Sequence, residues 1–457
     1  LAAVCTTLGE LPYIRYARSP VATTLAAATQ DALDDLSADD KALLKRGDNR
    51  PTLLILDRTI DTVAPVLHEF TYQAMIYDLC EVDKECTYKY KYNNGGKDIT
   101  KEVLLDEYDF LWPKLRHMHI ADCINKVIDD FNAFLKTNKA VNLKSASSKK
   151  GVASLREMTA AMKELPQFQD TFAKYSLHIR LAGECMEKYR GQELERLAMV
   201  EQDLATGVTA EGGKVKKDKV LAALEEILTD NSVPSANKTR LLMIHLTTEG
   251  AQPSDRAFAR LLDKANLGRQ ERQLVENLAA LRSTLDEMGE SEVQQWEKKS
   301  SKSGKKKSEE VPYAVSRYVP VVKRLVESML EDQLPTSEFP YYGDEPRGGA
   351  AKDTRKKATS LKTQTRVRST KGKDRIDGDA EDLGPRVIVF VAGGITHSEI
   401  RSAYQLFDKR EVIIGGTSIL TPHKFTSRLA SVSGGDRRGN ADDIEVGDAS
   451  SSDESSD

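Results

Sequence analysis

Gly393-Gly394 is the first place to look for chemistry, because it follows the β-rich run Arg386–Val391 and precedes a helical stretch. Backbone N–H groups at such a turn can cradle a phosphate. Ala392-Gly393-Gly394-Ile395 carries neither G-x-G-x-x-G nor G-x-x-x-x-G-K-[ST], which favours a tight strand-to-helix turn. Leu53–Asp57 has the form of a strand end that holds magnesium in phosphate-loop enzymes, yet no lysine loop matches it. Asp57 is instead expected to cap or ion-pair at the end of a sheet. His117, His119, Asp122 and Cys123 are of metal-ligating type, but 117 and 119 lie about 200° apart on a helix. His68-Glu69 lacks the second histidine of a zinc-protease helix. No G-x-S-x-G occurs, and no cysteine sits in a recognisable catalytic setting. No cofactor, no metal and no catalysis are therefore expected. The alternative is a nucleotide-binding or hydrolytic α/β enzyme, with its ligand near Asp57 and Gly393-Gly394.

The elements that would position these residues alternate at both ends of the chain. Tyr13–Ala17 reads as a strand, Ala22–Leu36 as a helix and Leu53–Leu56 as a continuous apolar strand. After residue 384 the same pattern returns. Arg386–Val391 is a strand, Thr396 or Ser398 caps a helix through Phe407, Val412–Ile414 is a strand, and Thr421-Pro422 opens a last helix. Between Glu69 and Glu331 the pattern is almost wholly helical, interrupted at Gly95-Gly96, Gly212-Gly213 and the basic stretch Lys298–Lys307. Neither α/β segment has enough strands for a buried sheet alone. The fold class is therefore α/β plus mostly α: one discontinuous parallel-sheet domain carrying a large, mainly helical inserted domain.

Composition bounds the partners. The chain has 457 residues, of which 39% are hydrophobic and 30% charged, and its net charge is -4. No global basic field argues for nucleic acid. Five cysteines without a zinc or CxxC spacing suit a reducing, cytoplasmic compartment. No apolar run approaches the roughly 18 residues of a membrane span. Residues 344–383 and the acidic, serine-rich tail from 434 are too polar to order themselves and should be disordered. The chain starts at Leu1 in what reads as the interior of a domain, so a fragment or a short gene model is expected.

One helical pair, Ser154–Leu165 and Gln167–Tyr189, is broken at Pro166 and carries the richest pattern. Phe168, Phe172, Tyr175 and Ile179 form one stripe, while Leu177 and Leu181 lie opposite. Such a helix is either sandwiched in a core or keeps one face for a partner helix. Pro166 removes an intrahelical hydrogen bond and blocks straight continuation, so it marks a fixed corner or a hinge.

Several strings together resemble the SM family, the syntaxin-binding Sec/Munc-type proteins of vesicle fusion, nearest the exocytic branch. They are LLILDRTIDTVAPVLHEFTYQAMIYDL from Leu53, VLLDEYDFLWPKLRHMHI from Val103, Leu165–Tyr189, VEQDL from Val200, SRYVPVVK from Ser316, RVIVFVAGGITHSEI from Arg386 and EVIIGGTSILTPHK from Glu411. The resemblance implies an arch-shaped architecture. Its α/β domain would be split into 1–68 and 321–433, with the helical domain inserted as 69–320 and a hairpin at 152–189. It implies a monomer, not an enzyme, that binds a syntaxin-type SNARE and a vesicle SNARE or assembled SNARE complex. Membrane association would be peripheral, through the SNAREs. It carries over Pro166 as the hinge proline, Ile179 as a vesicle-SNARE contact and Glu157 as a restraint on the hairpin. Arg116 and His119 fall near the syntaxin-facing side, and Phe172, Tyr175 and Leu181 complete the expected partner surface. The family's first domain is not in this sequence.

Overall fold

The structure is a computed structural model that describes residues 1–36, 44, 50–83, 86–94, 97–146, 166–250, 252–287, 313–346 and 384–432. Expectations placed on Ser154–Leu165, Glu157, Lys298–Lys307, residues 347–383 and the tail lie outside the described residues.

A five-stranded sheet is assembled from both ends of the chain. The first segment supplies α1 (Ala2–Thr7), β1 (Tyr13–Tyr16), α2 (Pro20–Asp34) and β2 (Thr52–Asp57). Ser19 accepts from the Ala22 N–H and Pro20, which has no N–H to leave unpaired, takes the first turn, so α2 starts with fewer open donors.

The helical body follows. It contains α3 (Tyr72–Leu79), a hairpin of β3 (Thr87–Asn94) and β4 (Lys97–Leu104), α4 (Trp112–Leu115), α5 (Ile120–Ala146) and α6 (Pro166–Gly191). It continues as α7 (Leu194–Thr206), α8 (Lys217–Thr229), α9 (Ser235–Glu249), α10 (Arg256–Lys264) and α11 (Arg269–Glu287). The chain then returns to the sheet through α12 (Val321–Leu330), β5 (Tyr341–Tyr342) and β6 (Val387–Ala392), followed by β7 (Ile395–Thr396), which pairs only with Ile419–Leu420 in a separate two-stranded ladder. It ends with α13 (His397–Leu406), β8 (Val412–Gly416), β9 (Ile419–Leu420) and α14 (Pro422–Ser431).

Sheet order is β5-β1-β2-β6-β8, parallel except for β5. β2 and β6 pair from Thr52↔Val387 to Asp57↔Ala392, and this contact joins the two segments. Leu53, Leu54, Ile55 and Leu56 are all fully buried, as a strand covered on both faces requires. The expectation of an almost wholly helical stretch after Glu69 fails at β3–β4. There the Tyr88-Lys89-Tyr90-Lys91 alternation forms an antiparallel hairpin with a buried Tyr88.

At the carboxyl ends of β2 and β6 the crevice is occupied by protein. Arg58 donates to Glu399 at 2.8 and 2.7 Å and to the Gly394 carbonyl at 3.2 Å. Burial works against the guanidinium's charge, but the fully buried Glu399 carboxylate outweighs it and raises the Arg58 pKa. Glu399 also accepts from the Thr396 N–H at 2.8 Å, while Thr396 accepts from the Glu399 N–H, a complete capping box for α13. Gly393 and Gly394 have positive φ, and a Cβ on Gly393 would stand 2.8 Å from Arg58 Cβ. The glycines thus serve a close approach of backbone to protein. Asp57 accepts from the Thr59 N–H at 2.8 Å and from the hydroxyls of Thr59 and Ser19, the capping role expected of it.

The helical body meets the sheet domain along α13. His397 lies against the Tyr77 ring, with centroids 4.8 Å apart, and Arg401 pairs with Glu69 at 3.0 Å. His117 lies against Tyr404, with centroids 4.4 Å apart, and Arg116 donates to the Tyr404 hydroxyl at 2.8 Å. Deeper in the body, the buried Glu201 accepts from the His68 ring at 2.7 Å, and Arg240 pairs with Asp78 at 2.9 Å.

Removing one partner of the Arg58–Glu399 pair strands the other charge in a dry site. Urea unfolding of Arg58→Met should show a loss of about 3–5 kcal/mol. The double change Arg58→Met with Glu399→Leu should lose less than Arg58→Met alone. An additive or larger loss would show that the pair is not coupled.

Burial lowers the pKa of His397 to about 4, with Lys424 and His117 adding to the effect. The unfolded chain then takes up a proton that the folded chain refuses, so stability falls as pH drops from about 6.5 to about 4, by up to about 1.4 kcal/mol per unit. Thermal melts of His397→Leu across that window should show a slope flatter by nearly one proton. An unchanged slope would place the titration elsewhere.

Candidate partner-binding surface

Helix α6 carries most of the expected surface. Pro166 is its first residue, where the missing N–H costs nothing and the fixed φ suits a helix. Its inner arc is Tyr175, Leu177, His178, Leu181, Ala182 and Cys185, all buried. Phe172 and Ile179 remain 43% and 38% exposed on the border of that arc. Gln169, Ser176, Arg180, Gly183 and Glu187 form the exposed outer arc.

The aromatic stripe is divided between core and solvent. Phe168 stacks on Phe134 of α5 with centroids 5.0 Å apart, and Phe172 meets Phe131 at 5.5 Å. Tyr175 is enclosed by Phe131, Phe134 and Phe110, with centroids 5.5, 5.7 and 6.0 Å away. Tyr175 is 7% exposed and Leu181 0%, which corrects their placement on a partner surface. Both complete the core between α5, α6 and the Phe70–Leu115 segment, where their apolar area leaves water.

Arg116 and His119 require the same correction. The Arg116 side chain is 13% exposed and is engaged by Glu107 and Tyr404. The His119 ring lies flat against Tyr313 at 3.5 Å, and burial lowers its pKa to about 4. Arg116 ties the helical body to α13 of the sheet domain, His119 packs within the helical body, and neither presents an open face.

A polar anchor that periodicity did not reveal sets the rotation of α6. His178 is fully buried, its Nδ1 is 2.8 Å from the Tyr72 hydroxyl, and its Nε2 is 3.1 Å from Asp109. Burial opposes ionisation of Asp109, but the His178 hydrogen bond and the Leu111 N–H outweigh it, and its pKa is lowered. Trp112 stacks on the same imidazole. These bonds are directional, so fixing residue 178 inward fixes residue 179 on the solvent border. The only sequence signal was a histidine on the apolar side of an amphipathic helix.

No group of three or more metal-ligating side chains occurs among the described residues, and no described helix is long and apolar enough to cross a membrane. What the geometry offers is an anchored helix with two apolar residues on a polar, partly small-residue face.

Comparison with known proteins agrees along the chain. The Sec1 family profile matches residues 1–428. Protein transport protein sec1 of Dictyostelium discoideum is 38% identical over 441 residues, covering 94% of this chain and 70% of that protein. The SNARE-interacting protein KEULE of Arabidopsis thaliana is 30% identical over 489 residues, covering 98% and 71%. Among solved structures, the Unc18–syntaxin 1 complex of Monosiga brevicollis matches with a TM-score of 0.70 and 25% identity, over 94% of this chain and 69% of that one. With a discontinuous parallel sheet, a large helical insertion and these relatives, the chain belongs to the Sec1 family.

Proposed function

We propose that this chain is a SNARE-binding regulator of vesicle docking and fusion in exocytosis. It binds a syntaxin-type SNARE, presents a vesicle SNARE helix beside it and so templates the four-helix SNARE bundle. The observation that carries this reading is the half-exposed pair Phe172 and Ile179 on a helix whose rotation is fixed from behind by His178. Family membership supports it, as do the names of the relatives, one a SNARE-interacting protein and one solved with syntaxin 1. The protein acts from the cytoplasm and reaches the membrane peripherally, through its SNAREs. The α/β domain comprises about 1–68 and 321–433, and the helical domain about 69–320.

The physics is that of pre-alignment. SNARE helices are unstructured alone and lose chain entropy when they zip together. A rigid helix edge that holds one of them in register converts part of that encounter into a local event. Phe172 and Ile179 stand seven residues apart, two helical turns, and match the i, i+7 positions of an incoming amphipathic helix. The reaction needs no catalytic group. The competing nucleotide-enzyme reading loses its crevice, because Arg58, Glu399 and Gly393 fill the carboxyl ends of β2 and β6.

Pro166 is the proposed hinge, and Glu157, in the segment before it, is the proposed restraint on the hairpin. With Pro166 as first residue, α6 begins where the backbone lacks an N–H to continue the ladder. Alanine at that position restores the donor and permits a longer helix.

Ile179→Arg should weaken binding of a vesicle-SNARE peptide at least tenfold in calorimetry, with Tm within about 2 °C of the parent because the site is on the surface. Unchanged affinity at unchanged Tm would remove α6 from the function. Pro166→Ala should bind the same peptide several-fold more tightly. Equal or weaker binding by that variant would refute the hinge.

A further inference from the structure

Two thiols that the partner surface does not use meet behind it. Cys80 is the residue that ends α3, and its Sγ lies 3.7 Å from Sγ of Cys185 on α6. Cys185 is fully buried and Cys80 is partly accessible, and both are unbridged. Cys5 and Cys123 are also buried and unbridged.

Cys80 is the more accessible member of the pair. Lys188 donates to the Leu79 carbonyl at 2.6 Å and pairs with Glu184 at 3.0 Å, placing a cation beside Cys80. A hydrogen bond between the thiols, together with burial, pushes the Cys80 thiol up, so the pair rests protonated and reacts slowly. Sulfurs in contact need to approach by under two ångströms to reach the bonded separation of about 2.05 Å.

We propose that Cys80 and Cys185 are a disulfide-forming modification site, closed by a peroxide, that ties the end of α3 to α6. The accessible Cys80 thiolate attacks one peroxide oxygen; the O–O bond breaks, hydroxide leaves and a sulfenic acid forms. The Cys185 thiolate then attacks the Cys80 sulfur, forming the S–S bond and expelling the second hydroxide. The two thiol protons neutralise the two hydroxides. One peroxide is reduced to two waters and two thiols are oxidised to one cystine, so atoms and electrons balance. The bridge closes a loop of about a hundred residues through β3, β4 and α5. It leaves Ile179 untouched, because that residue projects about 120° away from Cys185 around the helix.

Hydrogen peroxide is the probe, added to the full chain and followed by denaturation, alkylation of remaining thiols and peptide mapping by mass spectrometry. The expected result is loss of two of the five thiols, one cross-linked peptide pair containing Cys80 and Cys185, and full reversal by dithiothreitol. The bridged chain should melt about 5 °C higher than the reduced chain. Cys185→Ala should show no reversible cross-link. The mapping on the unaltered chain needs no variant and stands even if that one folds poorly. Five alkylatable thiols after a treatment that oxidises a control dithiol peptide would overturn the proposal. So would a cross-link between Cys80 and Cys86, or oxidation of Cys80 to the sulfinic acid without a bridge.

Discussion

The buried pair between Arg58 and Glu399 is the contact on which the rest of the architecture turns. A sheet drawn from two distant segments must specify which strands pair and in what register. β2 and β6 are both apolar on both faces, and a strand of that kind resists slippage weakly, because shifting it still buries hydrocarbon. The guanidinium removes that freedom, since it follows β2 directly and must meet a carboxylate fixed in the first turn of α13. The same carboxylate holds the Thr396 N–H, so the pair sets register and helix rotation together. From there α13 carries His397, Arg401 and Tyr404 to the helical body, where Tyr77, Glu69, His117 and Arg116 receive them. α13 thus connects the ion pair at the strand ends to the contacts between sheet and helical body.

Much of this was legible in the sequence wherever the cause is local. Leu53–Leu56 reads as a strand because every residue is apolar. Thr396 and Thr421-Pro422 mark helix starts because capping needs only the next three residues. The discontinuous sheet followed from counting strands. The β3–β4 hairpin was missed because its Tyr-Lys alternation was read as part of a helical stretch, although the period is two and Asn94-Gly95-Gly96 is turn chemistry. The ion pairs could not be read at all. His68 and Glu201, Tyr72 and His178, or Arg58 and Glu399 lie 106 to 341 residues apart, and no spacing rule links them.

Helix α6 shows where pattern and packing part company. Periodicity picked out the apolar residues but could not say that Tyr175, Leu177 and Leu181 share one buried arc, nor which neighbours cover it. α5 brings Phe131 and Phe134 across one edge of the aromatic stripe, and the segment from Phe70 to Leu115 covers the opposite face. Tyr175 and Leu181 are enclosed and only Phe172 and Ile179 stay half open. The division is sharp because α5 overlaps the stripe only partly.

A helix that must offer an apolar edge cannot be held by apolar contacts alone, because hydrocarbon packing tolerates rotation about the axis by a fraction of a turn. Such a rotation would bury Ile179 and expose Leu181 at little cost in area. The Tyr72–His178–Asp109 chain forbids it. Each of its donors and acceptors is satisfied only at one rotation, and an unsatisfied buried polar group costs about 1–3 kcal/mol. The exposed edge is correspondingly lean, two large apolar residues among Gln169, Ser176, Arg180 and Glu187, which keeps the face soluble while no helix lies on it. Under the proposed function, rotational anchoring from behind and a sparse apolar edge in front are two parts of one solution, and neither would serve recognition without the other.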